Sequence, residues 1–165
     1  MKPKTIEMDY KTYTDKYFLR AKEILEKKNI NPTVRYQVFA RENITELKGV
    51  NEAVSFIKNN SDARVYALKD NDYYTAKEPI LKIEGKVQDL IELETFYLEI
   101  LSGSLTGPID FKEVRHNARE IIKAAKEKPV YYFGARHFHY NLDEGIAKIC
   151  QEEGFAGCST DIGAK

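Results

Sequence analysis

The stretch from Pro129 to Thr160 constrains the fold more than any other part of the chain. Val130 to Phe133 is a short apolar, β-prone run, the pattern of a strand buried on both faces. Gly134 ends it, and Arg136, His137 and His139 follow at the passage from strand to loop. Asn141 and Glu144 have the spacing of a capping box for a helix through Ile146, Ile149 and Cys150. Gly154 fits the C-terminal stop, and Phe155 to Cys158 reads as a second buried strand with Ser159 and Thr160 at its end. This is strand, helix, strand, with polar residues gathered after each strand. In parallel α/β folds ligands bind at that end of the sheet.

Upstream, Met1 to Tyr13 reads as a polar, extended lead-in. Thr14 or Asp15 caps a helix whose inner face carries Tyr17, Ala21, Ile24 and Leu25. Thr33 to Phe39 alternates Val34, Tyr36 and Val38 with Arg35 and Gln37, a strand with one wet face and hence antiparallel. Asn51 to Lys58 fits a short helix with Ala53, Val54 and Ile57 inward, Arg64 to Leu68 a strand, and Asn71–Asp72 a turn. Ile80 and Leu81 begin a strand that Gly85 ends. Val87 to Leu101 predicts one long helix, with an apolar face broad enough to lie between two layers or at a subunit contact. Ser102 to Pro108 has linker composition. Asp110 and Glu113 cap a further helix bearing Val114, Ala118, Ile121, Ile122 and Ala125.

The expected architecture is an α/β chain in two parts. Residues 1–107 form an N-terminal α+β sandwich, and residues 108–165 the first βα units of an α/β barrel. Two strands cannot close a barrel, so the second part is expected to be truncated.

Composition excludes several function classes. With 26 basic and 26 acidic residues there is no basic block for nucleic acid. No run has the length of a membrane span or of a signal-peptide core, the expectation for a soluble, cytoplasmic protein. Cys150 and Cys158 lack metal-ligand spacing and are expected as reduced thiols; a disulfide would join a helix end to the next strand at a poor angle.

Four motifs in order resemble the nicotinate phosphoribosyltransferases, a group that also holds the quinolinate and nicotinamide enzymes. Thr14-Asp15-Lys16-Tyr17-Phe18 is similar to the family's N-terminal Thr-Asp-x-Tyr. Glu78 to Gly85, followed by Leu93-Glu94-Thr95, is similar to its strand and long helix. Tyr132-Phe133-Gly134-Ala135-Arg136 resembles its Phe-Gly-x-Arg, and Gly157-Cys158-Ser159-Thr160 its Gly-Thr-Ser-Asn turn. The resemblance implies that nicotinate attacks the anomeric carbon of phosphoribosyl pyrophosphate, giving nicotinate mononucleotide and pyrophosphate. It implies magnesium and ATP as cofactors, and a head-to-tail homodimer or a second chain that completes the barrel.

On that resemblance Phe133 and Tyr17, the latter from a partner subunit, enclose the pyridine ring, whose electron-poor face suits aromatic neighbours. The alternatives are barrel core for Phe133 and the apolar face of its own helix for Tyr17. Arg136 suits a phosphate or carboxylate, because its planar fork makes two parallel charge-assisted bonds; a surface ion pair is the alternative. His137 and His139 are phosphate contacts or plain loop residues, and His116 is solvated. Ser159 stands where nicotinamide-using relatives carry an acid, and a hydroxyl donates to a carboxylate that an acid would repel. Thr160 is a second donor or, like Ser159, a helix cap.

Cys158 replaces the usual Thr, Asp161 stands where Asn is common, and Arg136 lacks the paired arginine often seen. No histidine matches the family's phosphoryl-accepting site, and the glycine-rich phosphate loops are not in this stretch. A quinolinate or nicotinamide enzyme and a non-catalytic dimerisation or regulatory remnant are the alternatives. Quinolinate, with two carboxylates, calls for more positive charge than Arg136 supplies.

Overall fold

A three-stranded antiparallel sheet in the first half and a parallel pair of short strands in the second frame the chain. The computed structural model describes residues 9–165, so the first eight residues of the expected lead-in lie outside the described residues. The rest of that lead-in is not extended. Tyr10–Thr12 form a 3₁₀ turn, because the Asp9 carboxylate accepts from Lys11 N–H.

Helix α1 spans Lys16–Lys27 with Asp15 at its N-cap position. The Asp15 side chain makes no capping bond, because other partners engage it. The expected inward face of α1 is not a core face: the helix has no buried residue, and Ile24 is 60% exposed.

Strand β1 (Thr33–Val38) pairs antiparallel with β3 (Leu81–Lys86), and β2 (Arg64–Ala67) pairs antiparallel with the other side of β3. Val34, Tyr36 and Val38 face inward and Arg35 and Gln37 outward, the alternation the sequence predicts. Helix α2 (Val50–Asn60) buries Val50, Ala53 and Ile57 over the sheet. Each large aliphatic side chain so buried contributes roughly 1.5–3 kcal/mol. Tyr74 is fully buried in the same core because its hydroxyl is satisfied, donating toward Glu78 O (2.7 Å) and accepting from Ala40 N–H (2.9 Å).

The expected long helix is two helices. α3 (Val87–Leu90) ends in a tightened turn, and α4 runs Glu94–Leu105. Leu93 N–H bonds back three residues to Leu90 O, and the Glu92 carbonyl is turned out to accept from the Thr14 hydroxyl at 3.1 Å. The expected linker also starts later, since Ser102 to Leu105 continue α4. Gly103 permits this passage: a Cβ there would fall onto Cα and Cβ of His139.

Helix α5 (Phe111–Ala125) is capped by Asp110, which accepts from Lys112 N–H at 2.8 Å; only that half of the expected capping box forms. Strand β4 (Tyr131–Tyr132), helix α6 (Tyr140–Glu152) and strand β5 (Gly157–Cys158) make the expected parallel βαβ unit, with Tyr131 opposite Gly157 and Tyr132 opposite Cys158. Its strands are not buried on both faces. Tyr132 is buried against α5 and α6, whereas Tyr131 and Phe133 are each 55% exposed. Helices cover one face of this strand pair only.

The α6 cap is His139, whose ring nitrogen accepts from Asn141 N–H, because the helix starts earlier than an Asn141 cap allows. Cys150 and Cys158 are free thiols, as expected. Helix α4 carries the broad apolar face predicted for this region and packs on both α2 and α6, so it joins the two halves. Among the described residues no helix is long and apolar enough to cross a membrane.

Candidate active site

Residues 14–17 lie beside the end of β5 and are tied to it through Lys16, while Asp15 meets Arg136 of the loop after β4. Lys16 N–H donates to Ser159 O at 2.8 Å, and Ile162 N–H donates to Thr12 O at 2.9 Å. The Lys16 ammonium pairs with Asp161 at 2.5 Å. The start of α1 is thereby brought to the edge of the parallel strands where the sequence places the ligand.

Arg136 is the centre of the cluster. Its Nε lies 3.0 Å from Asp15 Oδ2, and its Nη1 lies 3.7 Å from Glu94 Oε1. The guanidinium sits 5.8 Å from the ring centroids of both Tyr17 and Phe18, within cation–π range. The backbone of Arg136 is left-handed, at φ 74°, a conformation that costs a residue with a Cβ about 1–3 kcal/mol. Neighbours hold it there. Ser102 Oγ donates to Arg136 O at 2.6 Å, and Gly134 lets the loop fold over the Tyr132 ring, onto which a Cβ at that position would fall.

Asp15 is 1% exposed and held from several sides. Its N–H donates to Thr95 Oγ1 at 3.1 Å, and its carboxylate accepts from the Tyr17 hydroxyl at 3.2 Å. Partial burial and the Asp15 carboxylate push the Tyr17 hydroxyl up to about 12.

Two further buried acids complete the surroundings. Glu99 is fully buried, and its carboxyl faces the Arg136 N–H without a bond of good geometry to either oxygen. Burial, then the charges of Asp143 and Asp15, raise it to about 9, so it carries its proton at neutral pH. Asp143 accepts from Thr160 Oγ1 at 2.6 Å, and burial pushes its pKa up as well, against the Thr160 bond. Glu94 is raised by burial, with Arg136 opposing.

The residues singled out from sequence separate into two groups. Tyr17, Arg136 and Ser159 come together where α1 meets the β4 and β5 ends. Ser159 is 6% exposed, and among the described residues its hydroxyl has no hydrogen-bond partner. The resemblance would bring the tyrosine from a partner subunit; in the structure Tyr17 of the same chain lies beside Arg136. Phe133, His137 and Thr160 are placed differently. The Phe133 ring is exposed and, among the described residues, stacks on no other ring. His137 is exposed, its N–H closing a turn to Gly134 O at 3.1 Å. Thr160 already gives its hydroxyl proton to Asp143 and accepts from Gly163 N–H at 3.2 Å.

Asp15, Thr95, Glu99, Ser102 and Asp143 were not among the sequence-derived candidates. For Thr95, Glu99 and Ser102 the signal was present: polar residues four and three apart inside an otherwise apolar helix. Among the described residues no three His, Cys, Asp or Glu side chains converge as a group that could hold a metal ion.

Residues 15–104, more than half of the chain, match the family model described as quinolinate phosphoribosyl transferase, N-terminal domain. The chain is 32% identical to nicotinate-nucleotide pyrophosphorylase from Pyrococcus furiosus, whose crystal structure it matches with a TM-score of 0.50. That match covers 100% of this chain and 43% of the other, so the chain spans less than half of that protein's length. The crystal structure of NadC from Streptococcus pyogenes is 16% identical, with a TM-score of 0.41 over 86% of this chain and 52% of that one. No curated protein matches the chain.

Proposed function

The chain belongs to the quinolinate phosphoribosyltransferase family, whose N-terminal domain it carries, and from that premise we propose that it forms the pyridine-binding part of a nicotinate phosphoribosyltransferase. In the reaction the pyridine nitrogen uses its lone pair to form a C–N bond at the anomeric carbon of phosphoribosyl pyrophosphate, and pyrophosphate leaves with the electron pair of the broken C–O bond. The product, nicotinate mononucleotide, is a precursor of NAD.

The observation that carries this reading is the buried, unpartnered hydroxyl of Ser159 at the end of β5, beside the strand whose loop presents Arg136. A buried hydroxyl without a partner is a costly arrangement that a ligand carboxylate would relieve. Arg136 supplies the charge for the same carboxylate or for a ligand phosphate, and Tyr17 supplies a ring face. Binding here is positioning: it orders the ring nitrogen toward the sugar and removes water from the reacting atoms.

Nicotinate fits this charge distribution better than quinolinate. Arg136 is the cation at the centre, and Asp15 and Glu94 already lie against it. A second substrate carboxylate would meet carboxylates rather than cations. The quinolinate reading draws instead on the description of the matching family model. Magnesium and ATP come with the resemblance, but no described residue is assigned to either and no step is routed through them.

Pyrophosphate release tests the proposal. The 165-residue chain is assayed alone, and mixed with any neighbouring gene product that carries the remaining barrel, with phosphoribosyl pyrophosphate and nicotinate, quinolinate or nicotinamide. Nicotinate-dependent release supports the reading. Release with quinolinate alone replaces it by the quinolinate reaction, and no release from the mixture leaves a non-catalytic remnant.

A further inference from the structure

Helix α4 is apolar over most of its circumference, with Phe96, Tyr97, Ile100 and Leu101 buried in the sheet core. One stripe of it is polar. Thr95, Glu99 and Ser102 share a face, and all three are turned to Arg136 or to its partner Asp15. Ser102 donates to the Arg136 carbonyl, Glu99 faces the Arg136 N–H, and Thr95 bonds Asp15 N–H. The two peptide groups that flank one left-handed residue are therefore approached from the same helix face. Thr95 and Glu99 are 0% exposed, so this contact is internal to the fold.

We propose that this stripe is a positioning cradle for Arg136: Ser102 fixes its left-handed turn through the carbonyl, Thr95 holds Asp15 against the guanidinium, and the arginine fork is thereby presented to the substrate anion in one orientation. The inference deepens the reading of Arg136 as an anion-binding group and rests on it for its catalytic meaning. Its structural half stands on the contacts alone.

As a neutral acid, Glu99 lies beside Arg136 without adding a charge that competes with the substrate for the guanidinium. The groups facing it come from every element around it: Asp15 ahead of α1, Arg136 from the β4–α6 loop and Asp143 from α6, with Tyr132 of β4 and Tyr13 feeling its charge. As pH rises through about 9 the acid ionises, and a second carboxylate then competes for Arg136.

Amide hydrogen exchange on the full chain tests the structural half. Ser102→Ala is expected to speed exchange at Arg136 and His137 roughly tenfold, the effect of losing one buried hydrogen bond, with Leu81 to Ile83 unchanged. Glu99→Gln, neutral at every pH and still an acceptor, is expected to keep wild-type protection. The Arg136 Nε resonance, identified by its loss in Arg136→Lys, should move between about pH 8 and pH 10 in the wild type and stay still in Glu99→Gln. Unchanged protection at Arg136 in Ser102→Ala, or equal loss in β3, overturns the cradle. So does a pH response that persists in Glu99→Gln.

The KM for phosphoribosyl pyrophosphate or nicotinate separates the two halves. A raised KM with kcat retained in Ser102→Ala supports the cradle as a positioning device. Loosened exchange with both KM values unchanged upholds the structural half and removes Arg136 from the substrate site.

Discussion

Asp15 Oδ2 and Arg136 Nε, one just ahead of the first helix and the other in the loop after β4, lie 3.0 Å apart as an ion pair. Asp15 is 1% exposed, while the Arg136 side chain keeps 30% of its surface. The pair joins the start of α1 to the β4–α6 loop.

Asp15→Asn is expected to loosen that junction. Losing one partner of a fully buried pair is strongly destabilising, and the partial exposure of Arg136 reduces the loss to about 1–3 kcal/mol. For a chain of this size each kcal/mol corresponds to roughly 2–4 °C in Tm. Thermal unfolding measures it, and an unchanged Tm would show that the pair contributes nothing to the fold.

Glu99 makes stability depend on pH. Its folded-state pKa is about 9 against an ordinary 4.5. The folded chain therefore holds a proton that the unfolded chain releases above about pH 4.5, so this group makes stability fall as pH climbs toward about 9. Glu99→Gln removes that slope. It is expected to raise Tm at about pH 8 by several degrees and to give no gain near pH 4. A Tm difference that does not vary with pH would show that Glu99 is not held as the acid.

Ser159→Asp is expected to reverse the preference between acid and amide. A carboxylate at the end of β5 repels nicotinate and accepts from the amide group of nicotinamide. The affinity ratio of the two ligands should shift by at least about tenfold, the equivalent of one charged hydrogen bond gained or lost. Competition titration reads the ratio directly, and an unmoved ratio would place Ser159 outside the ring-substituent contact.

Much of this arrangement was legible in the sequence. Alternation over Thr33–Val38 gave the one-faced strand, and the Tyr131–Tyr132 to Gly157–Cys158 spacing gave the parallel βαβ unit. The breaks were not legible. The single helix over Val87–Leu101 divides because Glu92 gives its carbonyl to Thr14, a contact between residues 78 positions apart. Ser102 reads as linker locally but is helical because Arg136 and His139 pack against that turn. Arg136 and Ser159 were singled out through motif chemistry. Glu99 stood out locally as a polar residue in an apolar helix, but its burial, like that of Asp143, comes from a junction that local pattern does not reveal.

The most direct measurement is an NMR titration of nicotinate into the 165-residue chain, with phosphoribosyl pyrophosphate present, read at Arg136 Nε–Hε and the Tyr17 ring. The account predicts saturable shifts at both groups, with the Arg136 response weakened in Ser159→Ala. A folded chain in which neither signal moves, or in which nicotinate perturbs only residues away from the β4 and β5 ends, would contradict it.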